Sequence, residues 1–181
     1  LDRSSAASDV YKRQEQILRD VLPAAHDGGS KNSSLERLHL PPGSSVMVAE
    51  DSVVARLLVE ESLKAMGVQY VSFKNGRELW DRLNALHREA HAQGQRARDK
   101  VALVLTDLEM PEMDGFTLTR NIKQDSRFAG IPVVVYSSLT GSASERHASS
   151  VGADAYVAKF EPRELADSIS NVLMDRKAMA S

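Results

Sequence analysis

Four apolar runs in this 181-residue chain end abruptly in groups that can carry charge or move a proton. Glu50-Asp51 follows VMVA, Asp107 follows VALVLT, Ser137-Ser138 follows IPVVVY, and Lys159 follows AYVA. Three carboxylates gathered at one place repel and raise one another's pKa values unless a cation neutralises them, and such hard oxygen ligands suit Mg²⁺. With the ion bound, Asp107 stays ionised and can attack a phosphoryl donor, giving an aspartyl phosphate. The Lys159 ammonium and the Ser137 hydroxyl would then hold the transferred oxygens. The chain has no cysteine, so disulfides, thiolate nucleophiles and Cys-bearing zinc sites are excluded.

These groups meet only if the elements carrying them lie side by side. From Val46 onward short apolar runs alternate with helical patterns. Val46–Ala49 reads as a strand, followed by a helix through Ala55, Leu58, Val59, Leu63 and Met66 that Gly67 closes. Tyr70, Val71 and Phe73 give a second strand. After the Asn75-Gly76 turn, Leu79, Leu83 and Leu86 stripe a long polar helix ending near Gly94. The run from Val101 to Leu105 is apolar at every position, as a central parallel strand buried on both faces requires. A helix beginning near Asp114, a strand at Ile131–Tyr136, a small-residue helix at Ala143–Val151, a strand at Ala155–Ala158 and a helix carrying Leu165, Ile169, Val172 and Leu173 complete five strands and five helices. Strict alternation implies a parallel sheet with helices on both faces and right-handed crossovers. In that architecture ligands bind at the carboxyl ends of the strands, which is where all these polar groups fall.

Composition narrows the classes further. The chain is 42% hydrophobic and 27% charged, with a net charge of −2, which suits a folded globular protein and offers no electrostatic reason to bind nucleic acid. No apolar run approaches a membrane span and no signal-peptide order is present, so membrane insertion is not expected and a cytoplasmic location is. Residues 1–45 differ from the rest, with turn-prone stretches such as HDGGSKNSS and LPPGSS and one short helical pattern, EQILRDVLP. The opening SSAASDVYKRQ resembles translated adaptor sequence, so roughly the first 14 residues are kept out of the fold reasoning, and the native start is expected to be missing.

VLTDLEMPEMDG (Val104–Gly115), with the preceding acidic pair and the later Lys159, resembles the receiver domain of bacterial two-component response regulators over roughly Val46–Met174. The resemblance implies an α/β, flavodoxin-like (CheY-like) doubly wound (βα)5 fold, a five-stranded parallel sheet in the order 2-1-3-4-5. It implies that Asp107 is the phosphoacceptor, Glu50 and Asp51 the acidic pair, Ser137 the switch hydroxyl, Tyr156 the switch aromatic and Lys159 the lysine. The Mg²⁺ would be held by Glu50, Asp51, Asp107 and the backbone carbonyl of Glu109. The form Asp-x-Glu-Met-Pro-Glu-Met-Asp-Gly, the segment YSSLTG and AKFEPRELA are similar to the receiver of CheV-type chemotaxis coupling proteins. In that family a CheW-like coupling domain precedes the receiver, so 1–45 is expected to be the end of such a domain with its linker, 46–175 the receiver and 176–181 a tail. The implied partners are a CheA-like histidine kinase and the proteins of chemoreceptor–kinase arrays. Most receivers place Pro directly after the lysine, often with a cis bond, whereas here Phe160 follows Lys159 and Pro162 comes later.

Blander assignments compete with parts of this pattern. A lone strand-terminal Asp is usually a helix cap or turn residue; here five chemically matched groups occur in order at one sheet edge. His87 and His91 have metal-ligand spacing, but HREAH lacks the Glu position of zinc hydrolases and reads as a solvated helix face. The charged stretch from Arg88 to Lys100 reads as an exposed face and loop. A haloacid-dehalogenase-like phosphatase would want a second Asp two residues after Asp107, followed by a small branched residue, and the chain has Glu109-Met110-Pro111. The expected role is therefore a phosphorylation-controlled switch rather than an enzyme, with output through protein contact, and a scaffold that works without phosphorylation is the alternative.

Overall fold

The computed structural model describes residues 37–139 and 141–180; EQILRDVLP and most of the expected leader lie outside the described residues. In chain order the elements are β1 (Ser45–Ala49), α1 (Val53–Ala65), β2 (Tyr70–Phe73), α2 (Gly76–Ala92), α3 (Ala97–Lys100), β3 (Val101–Thr106), α4 (Gly115–Gln124), a 3-10 turn at Ser126–Phe128, β4 (Val133–Ser137), α5 (Ser142–Ser150), β5 (Ala155–Ala158) and α6 (Pro162–Ala180). The strands form one sheet in the order β2-β1-β3-β4-β5, with every neighbouring pair parallel. This is the expected flavodoxin-like α/β topology.

Alternation along the central strands divides the core into two layers. Val46 and Val48 of β1 and Leu103 and Leu105 of β3 face the side covered by Val59 and Leu63 of α1 and Ile169 of α6. Met47, Ala49 and Val104 face the other side, against Leu79 and Leu83 of α2 and Leu118 and Ile122 of α4. Every residue of β3 is buried, as its unbroken apolar sequence demands. The helix starts are set by short polar side chains: Ser52, Asn75 and Asp114 accept from the backbone N–H groups of Ala55, Glu78 and Thr117.

Two features depart from the sequence reading. Residues 97–100, expected as loop, form the short helix α3 because Ala97 is fully buried against the α2–α4 layer. That makes six helices among the described residues where five were expected. The last helix runs through Ala180, and its Arg176 reaches back to the carbonyls of Val101, Ala102 and Arg98, so the expected boundary at 175 falls inside an element. Ahead of β1, Leu38 and Leu40 pack on the core layer of α1 and α6, and the Leu38 N–H donates to the Met66 carbonyl at 3.0 Å. Among the described residues no helix is long and apolar enough to cross a membrane.

Candidate phosphoacceptor site

The polar groups that end β1 and β3, and the one that follows β5, converge at the carboxyl edge of the sheet. Register explains it: Ala49 pairs with Thr106, so Glu50 and Asp107 leave adjacent strands at the same level, and the Asp107 N–H donates to the Ala49 carbonyl at 2.9 Å. Ser137 ends β4 opposite Ala158, and the Lys159 N–H donates to the Ser137 carbonyl at 3.0 Å. From there Lys159 Nζ reaches Glu50 Oε2 at 2.7 Å and Asp107 Oδ2 at 2.8 Å. All three side chains are nearly or wholly buried.

The site is locked by backbone as well. Asp107 Oδ1 accepts from the Leu108 N–H at 2.7 Å, and the Thr106 hydroxyl donates to the Asp107 carbonyl at 2.8 Å. The loop that follows must fold back tightly. The Gly115 N–H donates to the Leu108 carbonyl at 2.9 Å, and a Cβ at Gly115 would stand 2.0 Å from the Asp107 carbonyl oxygen. Only glycine lets α4 start this close to the strand end. Met-Asp-Gly thus combines a buried Met113, the Asp114 cap and that close approach.

Charge in this edge is unevenly balanced. Burial raises the Glu50 carboxyl above its ordinary range, although its hydrogen bond and charge contact with Lys159 pull the other way. For Lys159 burial alone would lower the pKa, but its bonds to Asp107 and Glu50 outweigh it and the ammonium is held more firmly protonated. The Tyr136 hydroxyl is pushed up by burial and by the charges of Glu50 and Asp107, and Lys159 Nζ lies 5.3 Å from the Tyr136 ring centroid. One ammonium therefore serves two buried carboxylates, with the exposed Asp51 beside them.

Glu50, Asp51 and Asp107 each offer a carboxylate oxygen within 4.8 Å of the other two. Three hard oxygen donors with less than matching positive charge fit a small divalent cation. Glu109 is exposed on the loop two residues past Asp107, and the use of its carbonyl rests on the resemblance alone.

Ser137 is fully buried, and its Oγ accepts from the Leu139 N–H at 3.2 Å, folding the start of the β4–α5 loop back on the strand. The Tyr156 hydroxyl donates to the Leu139 carbonyl. The two expected switch residues thus bond to the same loop residue, Ser137 at its N–H and Tyr156 at its carbonyl. Phe160, after Lys159, takes φ 68, a left-handed conformation uncommon for a bulky residue, and among the described residues no peptide bond is cis. Sequence reasoning missed Tyr136, Thr106 and Arg56, whose Nη1 donates to the Glu50 carbonyl at 2.8 Å. Side-chain bonds to carbonyls leave no pattern in a sequence. Tyr136 could have been suspected from its place directly before Ser137. His87, expected on a solvated helix face, is instead half-buried and lies edge-on to Phe128 at 6.0 Å, because that side of α2 packs over the Phe128 ring.

Comparison with known proteins agrees with this geometry. The family described as response regulator receiver domain matches residues 46–170. The chain is 31% identical over 160 residues to the chemotaxis protein CheV2 of Helicobacter pylori, covering 88% of this chain and 48% of that protein. It is 32% identical over 152 residues to CheV1 of the same organism, covering 83% and 44%. The chain thus spans about half the length of these relatives. Among solved structures it resembles the receiver domain of the histidine kinase CKI1 from Arabidopsis thaliana, complexed with Mg²⁺ and BeF₃⁻, with a TM-score of 0.62 and 27% identity over 76% of this chain and 92% of that one. The Vibrio cholerae chemotaxis protein CheY4 aligns with a TM-score of 0.56 and 25% identity over 71% and 98%. The carboxyl-edge cluster, the topology and these matches together show that the chain belongs to the response regulator receiver domain family and is a homologue of the CheV chemotaxis proteins.

Proposed function

We propose that this domain accepts a phosphoryl group from a CheA-like histidine kinase onto Asp107 and, in doing so, changes a protein-binding face that modulates receptor–kinase coupling. The observation that carries this is the Lys159 ammonium bridging Glu50 and Asp107 at 2.7 and 2.8 Å at the carboxyl edge of the sheet. Asp107 Oδ2 forms the new O–P bond while the P–N bond of the donor phosphohistidine breaks and its electron pair leaves with the imidazole nitrogen. Lys159 then follows the charge from the carboxylate to the phosphoryl oxygens, and Glu50, Asp51, Asp107 and the Glu109 carbonyl would hold Mg²⁺. When bound, that ion supplies neutralisation of the phosphoryl oxygens.

The switch follows from a competition for Ser137. Its Oγ accepts from the Leu139 N–H while the Tyr156 hydroxyl donates to the Leu139 carbonyl, and turning the Ser137 side chain toward Asp107 would move Oγ off that N–H. A phosphoryl group on Asp107 offers Ser137 a charged acceptor, and the state in which Ser137 turns to it is favoured by the difference between the two bonds. Release of Leu139 frees Tyr156 to repack, which alters the surface around β5 and α6. The work is carried out in the cytoplasm with array proteins as partners and no nucleic acid. The stretch ahead of β1 belongs to the end of a CheW-like domain and its tether, with Leu38 and Leu40 already packed on the receiver, which runs through the end of α6. Similarity to CheV proteins over 160 and 152 residues, longer than the receiver match at 46–170, supports a preceding segment of that kind.

Transfer from an autophosphorylated, radiolabelled chemotaxis kinase tests the proposal. Label should move to this protein in Mg²⁺ and stay on the kinase in EDTA; retention on the kinase in both would count against it.

A further inference from the structure

Arg56 takes no part in the phosphoryl chemistry above, yet its guanidinium is tied to the site. It lies near the start of α1, half-buried, and its Nη1 donates to the backbone carbonyl of Glu50 at 2.8 Å. It forms no ion pair among the described residues, so the charge is directed at a neutral acceptor. The peptide that this bond holds is the one joining Glu50 to Asp51.

The neighbours of that peptide are pinned on both sides. The Glu50 N–H donates to the Phe73 carbonyl at 3.1 Å, the Ser52 N–H donates to Glu50 Oε1 at 3.1 Å, and Ser52 Oγ accepts from the Ala55 N–H at 3.3 Å. Asp51 sits between them, exposed, with no side-chain hydrogen bond among the described residues. Its carboxylate is therefore aimed by its backbone alone. Without Arg56, the Glu50 carbonyl would lose its side-chain donor and the Glu50–Asp51 peptide would be held only through the bonds on either side of it.

Two effects of the guanidinium oppose each other. A positive charge beside a cation site weakens cation binding by repulsion. Fixing a ligand's orientation strengthens it, and partners that orient metal ligands are typically worth 10- to 100-fold in affinity. We propose that Arg56 is a positioning residue for Mg²⁺: through the Glu50 carbonyl it aims Asp51, and orientation outweighs repulsion. This rests on the reading of the acidic cluster as a Mg²⁺ site.

Calorimetric titration with MgCl₂ alone, on the parent, Arg56→Ala and Arg56→Lys, decides it, with thermal unfolding in EDTA as the check on folding. Arg56→Ala should weaken Mg²⁺ binding about tenfold. Arg56→Lys, which keeps a donor and the charge, should recover part of that loss. Mg²⁺ binding by Arg56→Ala equal to or tighter than the parent would overturn the inference and leave the proposed function standing, because orientation would then not outweigh repulsion. If Arg56→Ala is unfolded in EDTA, Arg56→Met takes its place, and a parent-like affinity in that variant with a lowered unfolding temperature assigns Arg56 a structural role only. A parent that takes up no Mg²⁺ overturns both the inference and the reading beneath it.

Discussion

The two ends of the sheet use their cations in opposite ways. At the carboxyl end Lys159 places a compact charge between two buried carboxylates, 2.7 and 2.8 Å away. At the amino end Arg176 spreads its planar fork over the carbonyls of Val101, Ala102 and Arg98, all of them neutral. The first arrangement has more negative than positive charge and is ready to be redistributed by a ligand. The second is complete in itself and ties α6 to the first residues of β3. A cation among carboxylates marks where chemistry is done; a cation among carbonyls marks where the fold is fastened.

Removing each cation should separate the two roles. Lys159→Met leaves Glu50 and Asp107 buried together without their counter-charge, and losing one partner of a buried pair costs about 3 kcal/mol. In denaturant unfolding the loss should be largest in EDTA and partly regained in Mg²⁺, since a ligand of the folded state stabilises it. An unchanged midpoint in EDTA would mean that Lys159 is not the group balancing this edge. Arg176→Met should cost about 2 kcal/mol through stranded carbonyls, with no dependence on Mg²⁺ and with phosphoryl uptake retained. A Mg²⁺-dependent loss there would erase the distinction between the ends.

A smaller effect comes from the cap that starts α4 beside the site. Burial alone would raise the Asp114 carboxyl, but the Thr117 N–H and hydroxyl outweigh it and hold it below the usual carboxylate range. A depressed folded-state pKa contributes stability that is present above the unfolded-state value and is lost as pH falls through the lower folded one. Asp114→Ala should therefore cost about 1 kcal/mol at neutral pH, a typical cap value, and the gap from the parent should close on acidification below the ordinary Asp range. A gap that stays constant with pH would show that the carboxylate charge does not contribute.

Much of this was legible in the sequence because the same constraint wrote both levels. A strand buried on both faces must be apolar throughout, so the polar residue that ends it is conspicuous. Asp107 after VALVLT and Lys159 after AYVA stand out for that reason. The alternation of strand and helix then placed them at one edge. What escaped were features without periodicity. The helix α3 spans four residues, too few to repeat a pattern, and is held by the burial of Ala97. Leu38 and Leu40 sit in a stretch of linker composition yet pack on the core. Arg56 and Arg176 act on backbone carbonyls, and every residue has one, so no partner residue type betrays them.

The most direct test of the central claim is intact mass after incubation with acetyl phosphate and Mg²⁺, beside Asp107→Asn. The account predicts one phosphoryl adduct on the parent and none on the variant. A folded parent that binds Mg²⁺ and gains no adduct, or an adduct that persists in Asp107→Asn, would contradict it and favour a coupling module that works without phosphorylation.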